Sequence, residues 1–306
     1  MGNVNEQFFL SSLIILIGYL VKRFNIINET EGQALIKLLF NVTLPALIIN
    51  VFSKMKLDFS MVFLPIICII YGLFMAFMGI YFFRKERRSN QGMLAMLIPG
   101  FNVGLFAYPF VEAILGVDAL SYLGMFDVGA PLIAFGVVYL VGSYFSSPEN
   151  SQPDYKKMVT QLLTTIPLVF YIVALFINVA GVQYPGFVLD IASIIAKANM
   201  PLTLLILGLY LNFSMIGDNW NQIIKIVALR YGFGLTVGIL LYFLLPFNLV
   251  FRQIVLICMV LPPPLIVISY AVEFDYDYRF VGALLNITNI TSYILLWIIF
   301  NMMTTV

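Results

Sequence analysis

Residues 250–273 read VFRQIVLICMVLPPPLIVISYAVE, an apolar stretch interrupted halfway by Pro262, Pro263 and Pro264. About 20 apolar residues suffice to cross a bilayer, so the stretch is long enough to span one. Each proline removes a backbone donor and clashes with the preceding turn, so three in a row are expected to unwind the segment over Leu261–Leu265. A second stretch of this kind, GMLAMLIPGFNVGLFAYPFVEAILG at 92–116, holds Pro109 and is expected to break there, less openly than the first. In lipid, peptide groups freed by a break are tolerable only where protein buries them or where they face a hydrated cavity. Interrupted segments at corresponding places in two halves of a chain mark the binding site of a secondary carrier.

Composition sets the class. Of 306 residues, 62% are hydrophobic and 10% charged, and the mean hydropathy is +1.01. A soluble domain is about 45–50% apolar and about 25% charged, so the chain reads as an all-α integral membrane protein in contact with lipid. A net charge of +1 supplies no basic field for phosphates, which excludes nucleic acid as a partner. Histidine is absent, so proton movement would fall to carboxylates, lysine or water. Cys68 and Cys258 lie in apolar runs and read as small buried hydrophobes; neither a metal site nor a cofactor is expected.

Hydropathy places ten spans, at 8–21, 33–53, 61–83, 92–116, 119–145, 159–180, 188–213, 222–245, 250–273 and 280–303. The first is expected to be a retained helix, and no attached soluble domain is expected. With the N-terminus outside, the inward connections hold ten Lys and Arg and the outward ones only Lys54, Lys56 and Arg252. The positive-inside rule therefore puts both termini outside a cell (inner) membrane. Two five-helix repeats are expected, 1–145 and 159–306, joined by a cytoplasmic linker at 146–158, and an odd helix count inverts one repeat relative to the other. Pro45 and Pro201 are 156 residues apart, and Pro109 and Pro263 are 154 apart. The exits Leu57-Asp58-Phe59-Ser60 and Leu211-Asn212-Phe213-Ser214 also match.

Four motifs in order resemble the auxin efflux carrier (PIN-like) family and its prokaryotic members. They are Asn102 followed seven residues later by Pro109, Leu261-Pro262 with Ala271-Val-Glu273-Phe, Pro45-Ala-Leu-Ile-Ile-Asn50, and Pro201-Leu-Thr-Leu-Leu-Ile-Leu-Gly208. The resemblance spans nearly the whole chain. It implies ten helices in an inverted repeat with helices 4 and 9 broken and crossed, a scaffold of helices 1, 2, 6 and 7, and a moving part of helices 3–5 and 8–10. It further implies export or uptake of a small organic anion such as a carboxylate, auxin-like or dicarboxylate; a homodimer is left open. The central connection is short, so regulation through a long phosphorylated loop is not expected.

If the breaks cross, half-helix N-termini point partial positive charge at the midplane, which favours an anion. The candidate binding residues are Asn102, Tyr108, Pro109, Pro262, Pro263, Asn50, Asn199 and Lys197. Asn102, flanked by Gly100 and Gly104, either bonds a substrate carboxylate or ties down freed backbone. Asn50 and Asn199 are substrate contacts or interhelical bonds, and Tyr108 lines the site or is a packed aromatic. Asn286, Asn289 and Tyr293 share a face of the last helix, which should look inward. Among charges at membrane depth, Glu112, Asp127 and Lys197 either form a compensated cluster or divide roles, Lys197 meeting the substrate and Asp127 or Glu112 carrying a coupling proton. Lys37 and Arg230 are expected to snorkel to the inner surface, and Arg84–Arg88 to anchor on anionic headgroups.

The expected activity is therefore alternating-access transport of a small organic anion, without catalytic residues and coupled to H+ or Na+. The alternative is a sodium-coupled symporter or cation/proton antiporter of the same architecture. Enzyme motifs such as His-Glu-x-x-His and Gly-x-Ser-x-Gly are absent.

Overall fold

A computed structural model describes residues 3–146, 154–211 and 220–304, all helix and connection with no strand among them. Most of the 146–158 linker, and Asn212–Ser214 of the second matching exit, lie outside the described residues. In chain order the first half holds α1 (Val4–Arg23), α2 (Glu29–Leu38), α3 (Leu44–Phe52), α4 (Phe63–Phe82), α5 (Arg88–Met96), α6 (Tyr108–Leu115), α7 (Ala119–Pro131) and α8 (Tyr139–Ser146). The second half holds α9 (Tyr155–Thr164), α10 (Ile166–Val179), α11 (Gly186–Ala196), α12 (Asn199–Leu209), α13 (Trp220–Leu244), α14 (Leu249–Met259), α15 (Ile266–Glu273) and α16 (Tyr278–Thr304).

Seven continuous helical stretches are long and apolar enough to cross a membrane: 4–23, 31–52, 59–82, 119–146, 186–209, 220–244 and 278–303. The pair α9 and α10, bent by 55°, makes an eighth. Large apolar side chains such as Phe77, Phe176 and Phe243 stand exposed along these helices, as a lipid-facing surface requires. Two segments remain, α5 to α6 and α14 to α15, and each is interrupted by six unwound residues, 97–102 and 260–265.

The second interruption falls where the proline triplet puts it. The first does not fall at Pro109. It lies at Leu97–Asn102, where Pro99 stops α5 and Gly100 turns the chain with φ +88°, a region open to glycine. Pro109 sits in the first turn of α6, and the chain over Val103–Ala107 widens to a π-helical turn that runs straight into it. A wide turn absorbs the missing donor of the proline and the clash of its ring without ending the helix. The two breaks are equally long, so the fourth segment is not the less open one.

Core packing brings the interruptions together. α1 packs on α12, α4 on α7, α5 on α8 and α13 on α14, while α10 and α11 pack on α3. At the centre the Asn102 N–H donates to the Pro262 carbonyl at 2.9 Å, so the two unwound stretches touch.

Candidate functional site

Five carbonyls freed by the breaks are taken up inside the protein. Besides the Pro262 oxygen, Val260 accepts from the Ser292 hydroxyl at 2.7 Å. The guanidinium of Arg230 takes the other three, giving Nη1 to Ile98 at 2.6 Å, Nη2 to Gly100 at 2.5 Å and to Leu261 at 2.6 Å, and Nε to Leu261 at 3.1 Å. Arg230 is 3% exposed and sits ten residues into α13, so it does not snorkel to the surface.

Local sequence explains its reach. Gly234 and Gly238 follow Arg230 at steps of four, on one helix face. A Cβ at Gly234 would stand 2.3 Å from the Met259 carbonyl, so only glycine lets α13 lie this close to the end of α14. The spacing Arg230, Gly234, Gly238 was the signal available in the sequence. Hydropathy alone could not read it, because it treats a mid-span arginine as a surface anchor.

With these carbonyls closed, what faces the interior is the start of each second half-helix. A cavity of about 600 Å³ is lined by Asn102–Leu105 of one break and Pro264–Ile266 of the other. Its other walls include Gln33, Lys37 and Asn41 of the second span, Asp127, Pro131 and Phe135 of the fifth, Thr164–Pro167 with Tyr171, and Tyr210 and Ser269. The first N–H groups of a helix lack intrahelical partners, and the aligned peptide dipoles make that end positive. Asn102 caps one such start, its Oδ1 accepting the Leu105 N–H at 3.3 Å. Its Nδ2 is buried without a partner. A buried unpaired donor is costly unless a ligand or water takes it.

Asp127 lines the same cavity at 7% exposure, and its Oδ2 accepts the Tyr171 hydroxyl at 2.5 Å. Tyr171 is in turn 2.5 Å from the Tyr108 hydroxyl, so Tyr108 belongs to a buried chain behind the wall and does not line the cavity. Lys37, exposed on α2, lines the cavity and is the only cation on its lining among the described residues, with Asp127 the only carboxylate among them. Lys37, expected to snorkel to the inner surface, is exposed and also lines the cavity.

The other candidates lie apart. Pro263 is buried at the crossing, outside the lining. Lys197 is exposed in the turn between α11 and α12, away from the cavity, and no ion pair joins it to Asp127 or Glu112 among the described residues. The compensated cluster does not form: Asp127 is buried in the cavity wall on α7, while Lys197 stands exposed in the turn between α11 and α12. Glu112 stays on α6 with a buried, unpartnered Oε2. Asn50 accepts from Lys54 at 3.1 Å, and Asn199 donates to the Thr43 hydroxyl at 3.2 Å. Tyr293 donates to the Phe8 carbonyl at 2.8 Å, so the polar face of α16 looks toward α1.

Known proteins align with this arrangement along most of its length. An uncharacterized transporter of Methanothermobacter thermautotrophicus is 23% identical over 287 residues, covering 92% of each chain. One of Methanocaldococcus jannaschii is 22% identical over 307 residues, covering 94% of this chain and 96% of its own. The uncharacterized transporter YfdV of Escherichia coli is 23% identical over 208 residues, 65% of this chain and 66% of its own. Residues 11–300 match the family described as membrane transport protein, and the chain belongs to this auxin efflux carrier-like family of multi-pass membrane transporters.

Proposed function

We propose that the protein is a secondary carrier for a small organic anion, acting by alternating access around the crossed breaks. The observation that carries this reading is the cavity where two half-helix starts converge with the unpaired Nδ2 of Asn102, a donor set suited to a carboxylate. Lys37 adds the positive charge that draws an anion in from the mouth. The lining includes Gln33 and Lys37 near the start of the second span, Thr164 and Thr165 at the α9–α10 bend and Tyr210 at the end of α12, all close to connections the positive-inside rule puts in the cytoplasm, so on this reading the conformation faces the cytoplasm and both termini lie outside the cell membrane.

Two inverted five-helix repeats, 1–145 and 159–306, are the architecture this mechanism uses, with the two interrupted segments counted as the fourth and ninth of ten spans. The contacts support it. α1 packs on α12 as α10 packs on α3, which exchanges the two halves. Thr43 and Asn199 are hydrogen-bonded to each other and 156 residues apart, the offset of Pro45 and Pro201. Equivalent residues of two repeats can touch only near the axis that relates them.

Asp127 carries the coupling proton in this reading, since Tyr171 on the scaffold reaches it across the boundary with the moving part. The groups around it are the Tyr171 and Tyr108 hydroxyls and the Cys68 and Cys258 thiols, with no cation among them. Sodium held at Asp127 or Glu112 is the competing form of coupling. The test is uptake into liposomes of labelled benzoate, indole-3-acetate, succinate and malate, with and without a pH gradient and sodium. Uptake of at least one, driven by the pH gradient, is expected. Uptake of none would refute the anion reading, and an absolute need for sodium would replace the proton.

A further inference from the structure

We infer that Arg230 is the positioning residue that pins both breaks and sets the anionic class of the cargo; the second half of this rests on the carrier reading above. One side chain on α13 holds carbonyls of both interruptions, Ile98 and Gly100 in the first and Leu261 in the second, through four hydrogen bonds of 2.5–3.1 Å. No other described side chain bonds both unwound stretches. The fixed fork of a guanidinium suits this task, because its donors diverge in one plane and reach separate acceptors at once.

Charge is the second part of the argument. A buried cation ordinarily meets a carboxylate, yet among the described residues none lies within salt-bridge distance of Arg230. Its partners are neutral carbonyls, which share the charge without cancelling it. The Gly100 carbonyl is two residues from Asn102, and the Leu261 carbonyl is three from Pro264, so an uncompensated positive charge stands directly behind the cavity wall. Low dielectric strengthens its field there. An anion bound at the half-helix starts supplies the missing counter-charge, and a cation or an uncharged analogue does not.

The test uses the full chain in liposomes, with Arg230→Lys and Arg230→Gln compared to wild type. The probes are the carboxylates of the panel, each competed against its own uncharged amide, as in indole-3-acetate against indole-3-acetamide. Arg230→Gln should weaken the carboxylate about 100-fold or more and abolish the preference over the amide. Arg230→Lys keeps the charge with fewer well-placed donors, so it should retain the preference with affinity lowered about tenfold. Equal losses for carboxylate and amide in both variants would reduce Arg230 to a scaffold residue and overturn the charge role, as would wild-type carboxylate affinity in Arg230→Gln. Amide hydrogen exchange at the non-proline residues of 97–102 and 260–265 decides the clamp separately. It should rise in Arg230→Gln and fall back in Arg230→Lys, and unchanged exchange would overturn the clamp. If wild type accepts none of the carboxylates, the carrier reading and the charge role fail together while the exchange result still stands.

Discussion

Asn102 makes three distinguishable contributions, and substitution can separate them. Its N–H bonds the Pro262 carbonyl, its Oδ1 caps the half-helix at Leu105, and its Nδ2 stays buried without a partner on a residue of the cavity lining. Alanine keeps the first, loses the second and removes the third. An N-cap is worth about 1 kcal/mol, so Asn102→Ala should lower stability by about that much. A hydrogen bond to a charged group contributes about 1.5–3 kcal/mol, so carboxylate affinity should fall about 10- to 150-fold. Aspartate caps as well as asparagine, so Asn102→Asp should hold stability within about 0.5 kcal/mol of wild type. It also turns the free donor into an acceptor facing the cargo, and the affinity loss should exceed that of alanine. Thermal unfolding in detergent gives the first quantity and equilibrium binding of the panel carboxylates the second. Wild-type affinity in a folded Asn102→Asp protein would refute the placement of cargo at this amide.

Three further substitutions probe the walls around it. Asp127→Asn should make carboxylate uptake independent of the imposed pH gradient while binding persists; a variant with the wild-type pH profile would move the proton elsewhere. Lys37→Gln removes an exposed cavity charge, and at high dielectric this is worth about 1 kcal/mol, so KM should rise about fivefold with little change in kcat. A fall in kcat alone would count against an attracting role. At Gly234, an alanine Cβ would stand 2.3 Å from the Met259 carbonyl, where ordinary contact begins at 3.4 Å, so α13 must retreat by about 1 Å. Overpacking of this kind costs about 1–3 kcal/mol, and carboxylate affinity should fall too, because Arg230 one turn away would lose its shortest bonds. An unchanged melting temperature in Gly234→Ala would show that the helices have room to spare.

The spans were legible because hydropathy integrates over many residues. Expectations of 119–145 and 222–245 stand beside helical stretches at 119–146 and 220–244. The proline triplet was equally plain, since no local adjustment keeps three adjacent prolines in a helix. A single proline is a weaker mark. Pro109 is absorbed by the π-helical turn before it, whereas Pro99 followed by Gly100 ends α5 outright. The difference is the glycine: a proline prevents a hydrogen bond, but a residue free to take positive φ redirects the chain. The place of a side chain was legible where the backbone decides it, as at Asn102 beside the first break, and illegible where long-range packing does. Nothing local to Lys197 says that it ends in an exposed turn, and the glycine spacing after Arg230 marks a close helix contact without saying that the side chain reaches the two breaks at Gly100 and Leu261, 130 and 31 residues away.

Arg230 also changes what the breaks mean. Unwound membrane backbone offers both N–H and C=O groups, and a site built from both ends would favour neither sign of charge. Here five carbonyls of the breaks that follow α5 and α14 are closed by Arg230, Ser292 and the Asn102 backbone, so the protein itself takes up acceptors on the negative side of the crossing. The starts of the second half-helices, at Val103–Leu105 and Leu265–Ile266, line the cavity instead. On the proposed reading, selectivity for anions follows from this asymmetry more than from any side chain on the cavity surface. It also follows that sliding the crossing between its two positions must carry α13 along. If Arg230 released Ile98, Gly100 and Leu261, it would leave a bare cation and three orphan carbonyls in the protein interior, a state too costly to visit on each cycle. The crossing and α13 should therefore move as one body, and a disulfide engineered between α13 and α14 should leave transport intact. One engineered between α10 and α7, across the Tyr171–Asp127 contact, should stop it.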